Sequence, residues 1–536
     1  MDRRNFFKFS AVSALGATAA EAKALPDKQI ASIIDIDLCD GCANETMPLC
    51  VKACKIKNEP IFPVPKEPMM DYWPQTKHED YSKQKDNISR LTPYNFTYIE
   101  KLEVDGKKLY IPRRCMHCDH PPCQKICPFG VISKSEEGAV DIDKNFCFGG
   151  AKCRDACPWG VPQRQAGVGI YLKVMPKLAG GGVMFKCDMC KDLLEQNKKP
   201  SCEVACPKNA IKFGKRDEIF AIANEMKKTR FIYGMDENGG TSTIYVSSVD
   251  FNKIDGAISK KYENKPKMGI MDMKKHPNPM EKSEFFSRCD SGSSSCRYRR
   301  CEHSRHKERK GQKMISNADK QKIKRQSLQN RIIHWGIAIS IFGLIATGIL
   351  QMPIAKRYNI TKIFEWSGDY YFTLSLHYAF SAALIFFAFY HVVYHTMKRE
   401  FDIVPRKGDI KNSFLVIKAM ITGSKEPASD KYLPEQRIAY IGGVLIIALL
   451  IVTGMIKSYK NILGFDISND LYIWAATLHN LGMVLIILFI IAHLMAFVPK
   501  ANRPLISGMF SGKIDAKYAK HRHSLWKDIK DESKFS

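Results

Sequence analysis

The fold class that the sequence predicts is composite: a cysteine-rich α+β domain followed by an all-α bundle of four transmembrane helices. Two observations divide the chain in this way. Residues 39–206 hold 15 of the 18 cysteines. The residues after Cys301 hold no cysteine but contain four apolar stretches, each long enough to cross a bilayer. At 536 residues the chain is in any case too long for one ordinary domain.

The first element is the N-terminus. Arg3-Arg4-Asn5-Phe6-Phe7-Lys8 precedes a modestly apolar run from Phe9 to Ala20. This resembles a twin-arginine export signal spanning 1–24, with cleavage near Ala22 or Ala24. Such export carries folded proteins, so cofactors are loaded in the reducing cytoplasm first. The net charge of +27 invites a nucleic-acid reading. Much of the excess sits beside the apolar stretches, where the positive-inside rule accounts for it. No nucleic-acid partner is expected.

The cysteines come next, in four groups. They are Cys39-x2-Cys42-x7-Cys50-x3-Cys54, Cys115-x2-Cys118-x4-Cys123-x3-Cys127-Pro128, Cys147-x5-Cys153-x3-Cys157-Pro158 and Cys187-x2-Cys190-x11-Cys202-x3-Cys206-Pro207. Short C-x2-C steps let thiolates from one turn of backbone reach neighbouring irons of a cubane. A distant Cys-Pro cysteine characteristically serves the partner cluster of a pair. Zinc also accepts four cysteines, but zinc ribbons lack the x3-Cys-Pro ending that recurs three times here. A disulfide framework, the other use of many cysteines in an exported protein, does not explain the spacing. The pattern predicts iron–sulfur clusters.

Residues 30–215 resemble the four-cluster ferredoxin-like subunits that accompany molybdopterin oxidoreductases and some membrane hydrogenases. The resemblance implies an α+β polycluster domain of two ferredoxin-like halves. It also implies three [4Fe–4S] ligand sets: Cys39, Cys42, Cys50 and Cys206; Cys187, Cys190, Cys202 and Cys54; and Cys115, Cys118, Cys123 and Cys157. The fourth set, Cys127, Cys147 and Cys153, departs from the family because Gly150 stands where a cysteine is usual. Three thiolates suit a [3Fe–4S] cluster; a [4Fe–4S] cluster with a hydroxide or water ligand is the alternative. Residues 55–114 read as an insertion over the cluster core or against a partner.

The apolar runs lie at 332–352, 371–396, 438–457 and 473–498. Lys and Arg number five in 314–331, three in 353–370, nine in 397–437, one in 458–472 and nine in 499–536. This alternation puts the start of the first span, the connection between spans two and three, and the C-terminus in the cytoplasm. Histidine inside a span is costly and usually functional. His334 opens the first span, His377, His391 and His395 lie on the second, and His479 and His493 on the fourth. His479 and His493 share a helix face about 21 Å apart along the axis, which suits two stacked haems. By depth, His377 and His479 pair near the outer face. Near the inner face His493 has either His334 or His391 as partner.

Arg331-Ile332-Ile333-His334-Trp335, Ala492-His493-Leu494-Met495-Ala496-Phe497 and the tail from Leu505 through Lys513 to His521-Arg522-His523 are similar to the cytochrome b (gamma) subunit of respiratory formate dehydrogenase. This resemblance covers nearly all of residues 325–530. It implies two haem b groups, His334 with His493 as ligands of the inner one, and His391 and His395 as non-ligands. It also implies a quinone near the inner haem, beside a loop that here reads Tyr432-Leu433-Pro434-Glu435-Gln436-Arg437. The family's Asn and Gly are missing from that loop, which bears on the details of the quinone site.

Export places the clusters outside, yet the first span begins inside, so an odd number of crossings is required before it. Residues 216–313 read as a linker with no apolar run of membrane length. Within it Cys289, Cys296 and Cys301 punctuate a Ser- and Arg-rich stretch that reads as a flexible linker or, with His303 and His306, as a zinc site of unfamiliar spacing. A third reading shifts the frame by one nucleotide, which turns residues 285–306 into about 22 mostly Ala, Val and Ile residues, enough for a membrane anchor. Met314 would then begin a separate cytochrome subunit; the reading depends on Ser and Arg codon choice, and TCN serine codons in that stretch would exclude it.

Taken together, the sequence predicts a multi-pass protein of the bacterial inner membrane with its iron–sulfur domain on the periplasmic side. It relays electrons from a catalytic molybdopterin subunit, formate dehydrogenase alpha-like, through clusters and haems to quinone. No substrate chemistry is expected on this chain. The alternatives are the same relay serving a nickel–iron hydrogenase or another molybdopterin enzyme, and a zinc-binding membrane assembly protein.

Overall fold

A computed structural model describes residues 28–70, 78–174, 176–177, 181–262, 322–358, 360, 365–368, 370–422, 424, 426–462 and 467–530. The export signal expected at 1–24 and the anchor expected at 285–306 lie outside the described residues. The chain divides into two compact units. One comprises 1–283 with 349–374 and 456–476, and the other 284–348, 375–455 and 477–536.

The first unit is an α+β domain organised on a four-stranded sheet. Its order is Ile211–Lys215, Ile30–Asp35, Thr243–Ser247, Phe231–Tyr233. Ile30–Asp35 runs antiparallel to Ile211–Lys215 and parallel to Thr243–Ser247, which is antiparallel to Phe231–Tyr233. Because alternate residues of a strand face opposite sides, Ala31 and Ile33 join Ile244 and Val246 against Ile219 and Ala223 of helix Arg216–Met226. Ile34, Ile36 and Tyr245 enter the larger core on the other face, among the cysteines. Asp217 and Glu218 occupy the first turn of that helix, where carboxylates complement the N-terminal dipole.

Here the structure departs from the sequence expectation. Residues 216–262, read as linker, are helix Arg216–Met226, two strands of the sheet and helix Phe251–Tyr262. The last helix buries Phe251, Ile254 and Ile258 in the same core as Cys50 and Cys115. The segment 55–114 likewise contributes a hairpin, Tyr98–Val104 with Lys107–Arg113, whose Tyr98, Leu102, Val104, Leu109 and Ile111 are core residues.

Among the described residues four helices are long and apolar enough to cross a membrane: Leu328–Gln351, Tyr370–Lys398, Pro434–Ile462 and Asn469–Met495. Each begins before its predicted apolar run, while the first and fourth end at Gln351 and Met495, short of 352 and 498, because capping as well as hydropathy sets helix ends. Ser327 Oγ accepts from Asn330 N at 3.1 Å and Ser468 Oγ from Leu471 N at 3.4 Å, each a side-chain cap. Pro434 opens the third helix, where its missing N–H costs nothing, and Pro353 follows the end of the first. In the second unit, strand Lys322–Lys324 pairs antiparallel with Lys513–Asp515. The lead into the first span and the C-terminal tail therefore meet at one end of that unit, as four crossings require.

Candidate functional site: cysteine groups and histidine pairs

The cysteine loops repeat one local device. Short helices Pro122–Lys125, Lys152–Asp155 and Ser201–Val204 each carry a cysteine, and each gives way to Cys127-Pro128, Cys157-Pro158 or Cys206-Pro207. Proline disfavours helical geometry in the residue before it, so the helix stops and the second thiol turns inward. Three residues after each of these cysteines the backbone turns left-handed, at Gly130 (φ 69°), Gly160 (φ 58°) and Asn209 (φ 50°). Glycine and asparagine are the residues that enter this region most readily. Cys54, which no proline follows, lies inside helix Leu49–Asn58, and Asn58 Nδ2 donates to its sulfur at 3.5 Å.

The fold gathers the thiols into four neighbourhoods. Cys39, Cys42, Cys50 and Cys206 line one cavity. Cys54, Cys187, Cys190 and Cys202 line a second. Cys115, Cys118, Cys123 and Cys157 perturb one another electrostatically, as do Cys127, Cys147 and Cys153. Burial pushes the Cys39 and Cys147 thiols up to about 11 and that of Cys190 to about 12. Such thiols become thiolates only with positive charge to hold them, which bound iron supplies. The sulfurs also receive N–H donors, as cluster sulfurs do: Gly149 N to Cys147 at 3.4 Å, Met189 N to Cys187 at 3.4 Å, Ala210 N to Cys206 at 3.3 Å and Asn238 Nδ2 to Cys118 at 3.2 Å. Among the described residues no three His, Cys, Asp or Glu side chains converge as around a single ion. Buried and half-buried thiols in sets of four and three, with N–H donors on their sulfurs, have the character of cluster ligands.

Gly150 has a physical reason for its identity. A Cβ there would lie 2.4 Å from Pro353 Cγ, closer than atoms tolerate, so a cysteine would displace that proline. Next to it, buried Lys152 donates from Nζ to Leu350 O at 2.9 Å, a carbonyl at the end of the first span that has no helical partner. Gly130, beside Cys127, packs on Tyr472 and Ala476. Burial most strongly raises the Cys127 thiol, while backbone N–H groups and the charge of Lys457 oppose it.

The histidines form two pairs. His377 and His479 have ring centroids 6.5 Å apart, and His334 and His493 are 6.4 Å apart. Two imidazoles bound axially to one metal at about 2 Å per bond hold their centroids about 6 Å apart, so both pairs fit a haem iron. Buried Ile341, Leu384 and Ile486 form an apolar cluster, with Ile486 midway between His479 and His493 on the fourth helix. His391 turns elsewhere: its Nε2 meets Tyr440 Oη at 2.9 Å and its ring lies 4.5 Å from that of His395. His395 Nδ1 faces Glu400 O at 3.1 Å.

Sequence reasoning missed two side chains. Thr347 Oγ1 lies 2.8 Å from His377 Nδ1, and Thr453 Oγ1 lies 3.0 Å from His479 Nδ1. The signal was present as a repeat: Thr347-Gly348 and Thr453-Gly454 each precede a Leu-His, at Leu376-His377 and Leu478-His479.

The loop expected beside a quinone is held by its surroundings. Arg325 donates from Nη2 to Lys431 O at 2.8 Å and to Gln436 Oε1 at 3.2 Å, and Gln326 Nε2 donates to Tyr432 Oη at 3.0 Å. Arg437 makes a buried two-point ion pair with Asp409 at 2.7 and 2.6 Å. The Arg437 bond holds the Asp409 carboxyl below its ordinary range. Both Glu435 carboxyl oxygens are buried with no hydrogen-bond partner.

Two family models match the sequence: a 4Fe-4S dicluster domain over residues 106–216 and a prokaryotic cytochrome b561 over residues 325–512. Among curated proteins, the B component of sulfite dehydrogenase from Allochromatium vinosum is 31% identical over 197 residues, which cover 35% of this chain and 68% of the relative. The hydrogenase-2 operon protein HybA of Escherichia coli O157:H7 is 27% identical over 295 residues, 48% of this chain and 83% of the relative. The B component of anaerobic dimethyl sulfoxide reductase from Escherichia coli K12 is 39% identical over 110 residues, 20% of this chain and 47% of the relative.

Proposed function

The protein belongs to the family of iron–sulfur electron-transfer subunits that includes the B component of sulfite dehydrogenase, here joined to a cytochrome b561 domain, and on that premise we propose a complete path from catalytic partner to quinone. Clusters and haems supply one-electron carriers when bound; the chain positions them. Cys39, Cys42, Cys50 and Cys206, then Cys54, Cys187, Cys190 and Cys202, then Cys115, Cys118, Cys123 and Cys157 hold [4Fe–4S] clusters. Cys127, Cys147 and Cys153 hold a [3Fe–4S] cluster, since the contact of Gly150 with Pro353 leaves no room for a fourth thiolate. His377 with His479 and His334 with His493 hold two haems b.

The observation that carries this reading is the seating of the Cys127 neighbourhood. Gly130 and Gly150 pack on Tyr472 and Pro353, in the two connections that carry only one and three basic residues. The positive-inside rule assigns those connections to the outer face. Export by residues 1–24 assigns the cysteine domain to the same face. His377 and His479 lie near the outer ends of their spans by the same charge count, and the proposal takes a haem held by them as the first to be reduced.

At the other end, the loop Tyr432–Arg437, with its buried Glu435 carboxyl, is the part of the chain suited to a quinone, which needs protons with its electrons. Formate is the proposed source of electrons, supplied through a molybdopterin partner, because residues 331–335 and 492–497 resemble the formate dehydrogenase cytochrome. A hydrogenase donor is the second reading, favoured by the similarity to a hydrogenase-2 operon protein. The membrane anchor read out of frame at 285–306 belongs to the same proposal, as the missing crossing. The test is purification from membranes with native partners, followed by metal analysis, EPR and reduced-minus-oxidised spectra under formate or hydrogen. A b-type band reduced by formate supports the full reading, and one reduced only by hydrogen replaces the donor. Zinc in excess of iron, with no b-type band, sinks the relay.

A further inference from the structure

The haem-facing histidines are not equally held. Thr347 Oγ1 lies 2.7 Å from Gly343 O, one turn back on its own helix, and Thr453 Oγ1 lies 2.6 Å from Leu449 O. A carbonyl only accepts, so each hydroxyl proton is committed to it. Each threonine oxygen can then only accept from the histidine beside it. His377 and His479 are therefore Nδ1–H tautomers, with the lone pair on Nε2, the atom a haem iron needs. The adjacent glycines complete the arrangement. A Cβ at Gly348 would stand 3.6 Å from His377 Cε1 and one at Gly454 would stand 3.3 Å from His479 Cε1. Span one holds the histidine of span two, and span three that of span four, by the same Thr-Gly pair.

The other pair lacks this. His334 Nδ1 is buried with no hydrogen-bond partner. His493 is flanked by aromatic rings, Phe489 at 6.2 Å and Phe497 at 5.8 Å.

We propose that Thr347 and Thr453 are positioning residues that set the potential of the haem on His377 and His479 below that of the haem on His334 and His493. The inference rests on the haem reading above. An acceptor on Nδ1–H draws the proton away from the ring, makes Nε2 the stronger donor and favours ferric over ferrous iron. With haem bound, Thr347 and Thr453 would hold the His377–His479 site at the lower potential, so that transfer from that site to the His334–His493 site would run downhill.

Potentiometric titration of the b-type bands in membranes carrying the full-length chain tests this. Thr347→Val and Thr453→Val keep the shape and remove the acceptor. Each should move one haem midpoint to higher potential, the double variant further, while the other midpoint stays in place. Thr347→Ser and Thr453→Ser keep the hydroxyl and should restore the wild-type value, with the low-spin EPR signal of that haem following the same pattern. The two positions are independent, so if one valine variant loses haem the other decides. Midpoints unmoved by valine, or moved equally by serine, overturn the inference while leaving the haem assignment intact. Wild-type membranes without two b-type components overturn the haem reading itself, and the inference with it.

Discussion

The two histidine pairs, His377 with His479 on the second and fourth helices and His334 with His493 on the first and fourth, have nearly the same ring separation, 6.5 and 6.4 Å, yet their surroundings differ in kind. Behind His377 and His479 stand threonine hydroxyls whose protons are already committed to backbone carbonyls. On the side of His334 and His493, at the ends where the chain enters and leaves the bundle, lies a polar network. Arg325, His523, Gln436, Tyr432 and the Arg437–Asp409 pair are bound to one another there. A carrier that moves only electrons gains from a rigid, proton-free setting. A site that reduces a quinone must also bring protons, and buried polar groups are retained where they serve that purpose. The difference teaches that the two histidine pairs are not duplicates, although their ring separations nearly match.

The most direct way to break this comparison is to delete ligands one pair at a time. His377→Ala or His479→Ala should remove one haem and reduce the b-type absorbance by about half, as should His334→Ala or His493→Ala. The lost component should be the low-potential one in the first case and the high-potential one in the second. His391→Ala should leave both, since its Nε2 is engaged with Tyr440; haem loss in that variant would reopen the choice of partner for His493. A smaller effect is expected from Asp409→Asn. The Asp409 and Arg437 side chains are 3% and 7% exposed, and removing one partner of a buried ion pair costs about 3 kcal/mol. Thermal loss of the high-potential haem should come earlier in that variant, and the low-potential haem should melt unchanged. Equal losses from both would mean that the two ends are not separable.

How much of this was legible in the sequence depends on the distance over which each signal acts. The cysteine groups were readable because cluster chemistry needs thiols at fixed short spacings, with proline to stop the helix between them. The spans were readable from hydropathy, and their true ends only from caps such as Ser327 and Pro434. Residues 216–262 were misread because their strands are short and are completed by a partner more than 200 residues earlier, Ile30–Asp35 beside Thr243–Ser247. The choice between His334 and His391 was not legible because both lie at similar depth, and only packing turns His391 toward Tyr440. Thr347 and Thr453 were hidden for a related reason. A threonine in an apolar helix usually bonds its own preceding turn, and the Thr-Gly and Leu-His repeat does not by itself say that a neighbouring helix brings the histidine to that oxygen.

The smallest expected effect concerns the polar end alone and is a matter of pH. His523 is fully buried. Its Nδ1 faces Asp430 O at 2.7 Å and so donates, which leaves Nε2, 3.3 Å from Arg325 Nη1, to accept. Burial first, and then the Arg325 charge, push its pKa from the ordinary 6.5 down to about 4; Arg522 acts the same way and Asp430 against it. A protonated His523 would set a second donor against Arg325, which is itself buried and held by Lys431 O and Gln436. Between pH 6.5 and about 4 the unfolded tail therefore binds more protons than the folded one, and stability falls with falling pH across that window. Its contribution is complete above pH 6.5 and gone below about 4. Hydrogen exchange of residues 513–530 should accelerate over this range, with the groups around His377 and His479 unaffected because no such histidine supports them. His523→Gln keeps a donor and an acceptor but does not titrate, so it should flatten the slope. An unchanged slope in that variant would overturn the assignment to His523, because Asp409, held below its ordinary range by Arg437, titrates beneath this window.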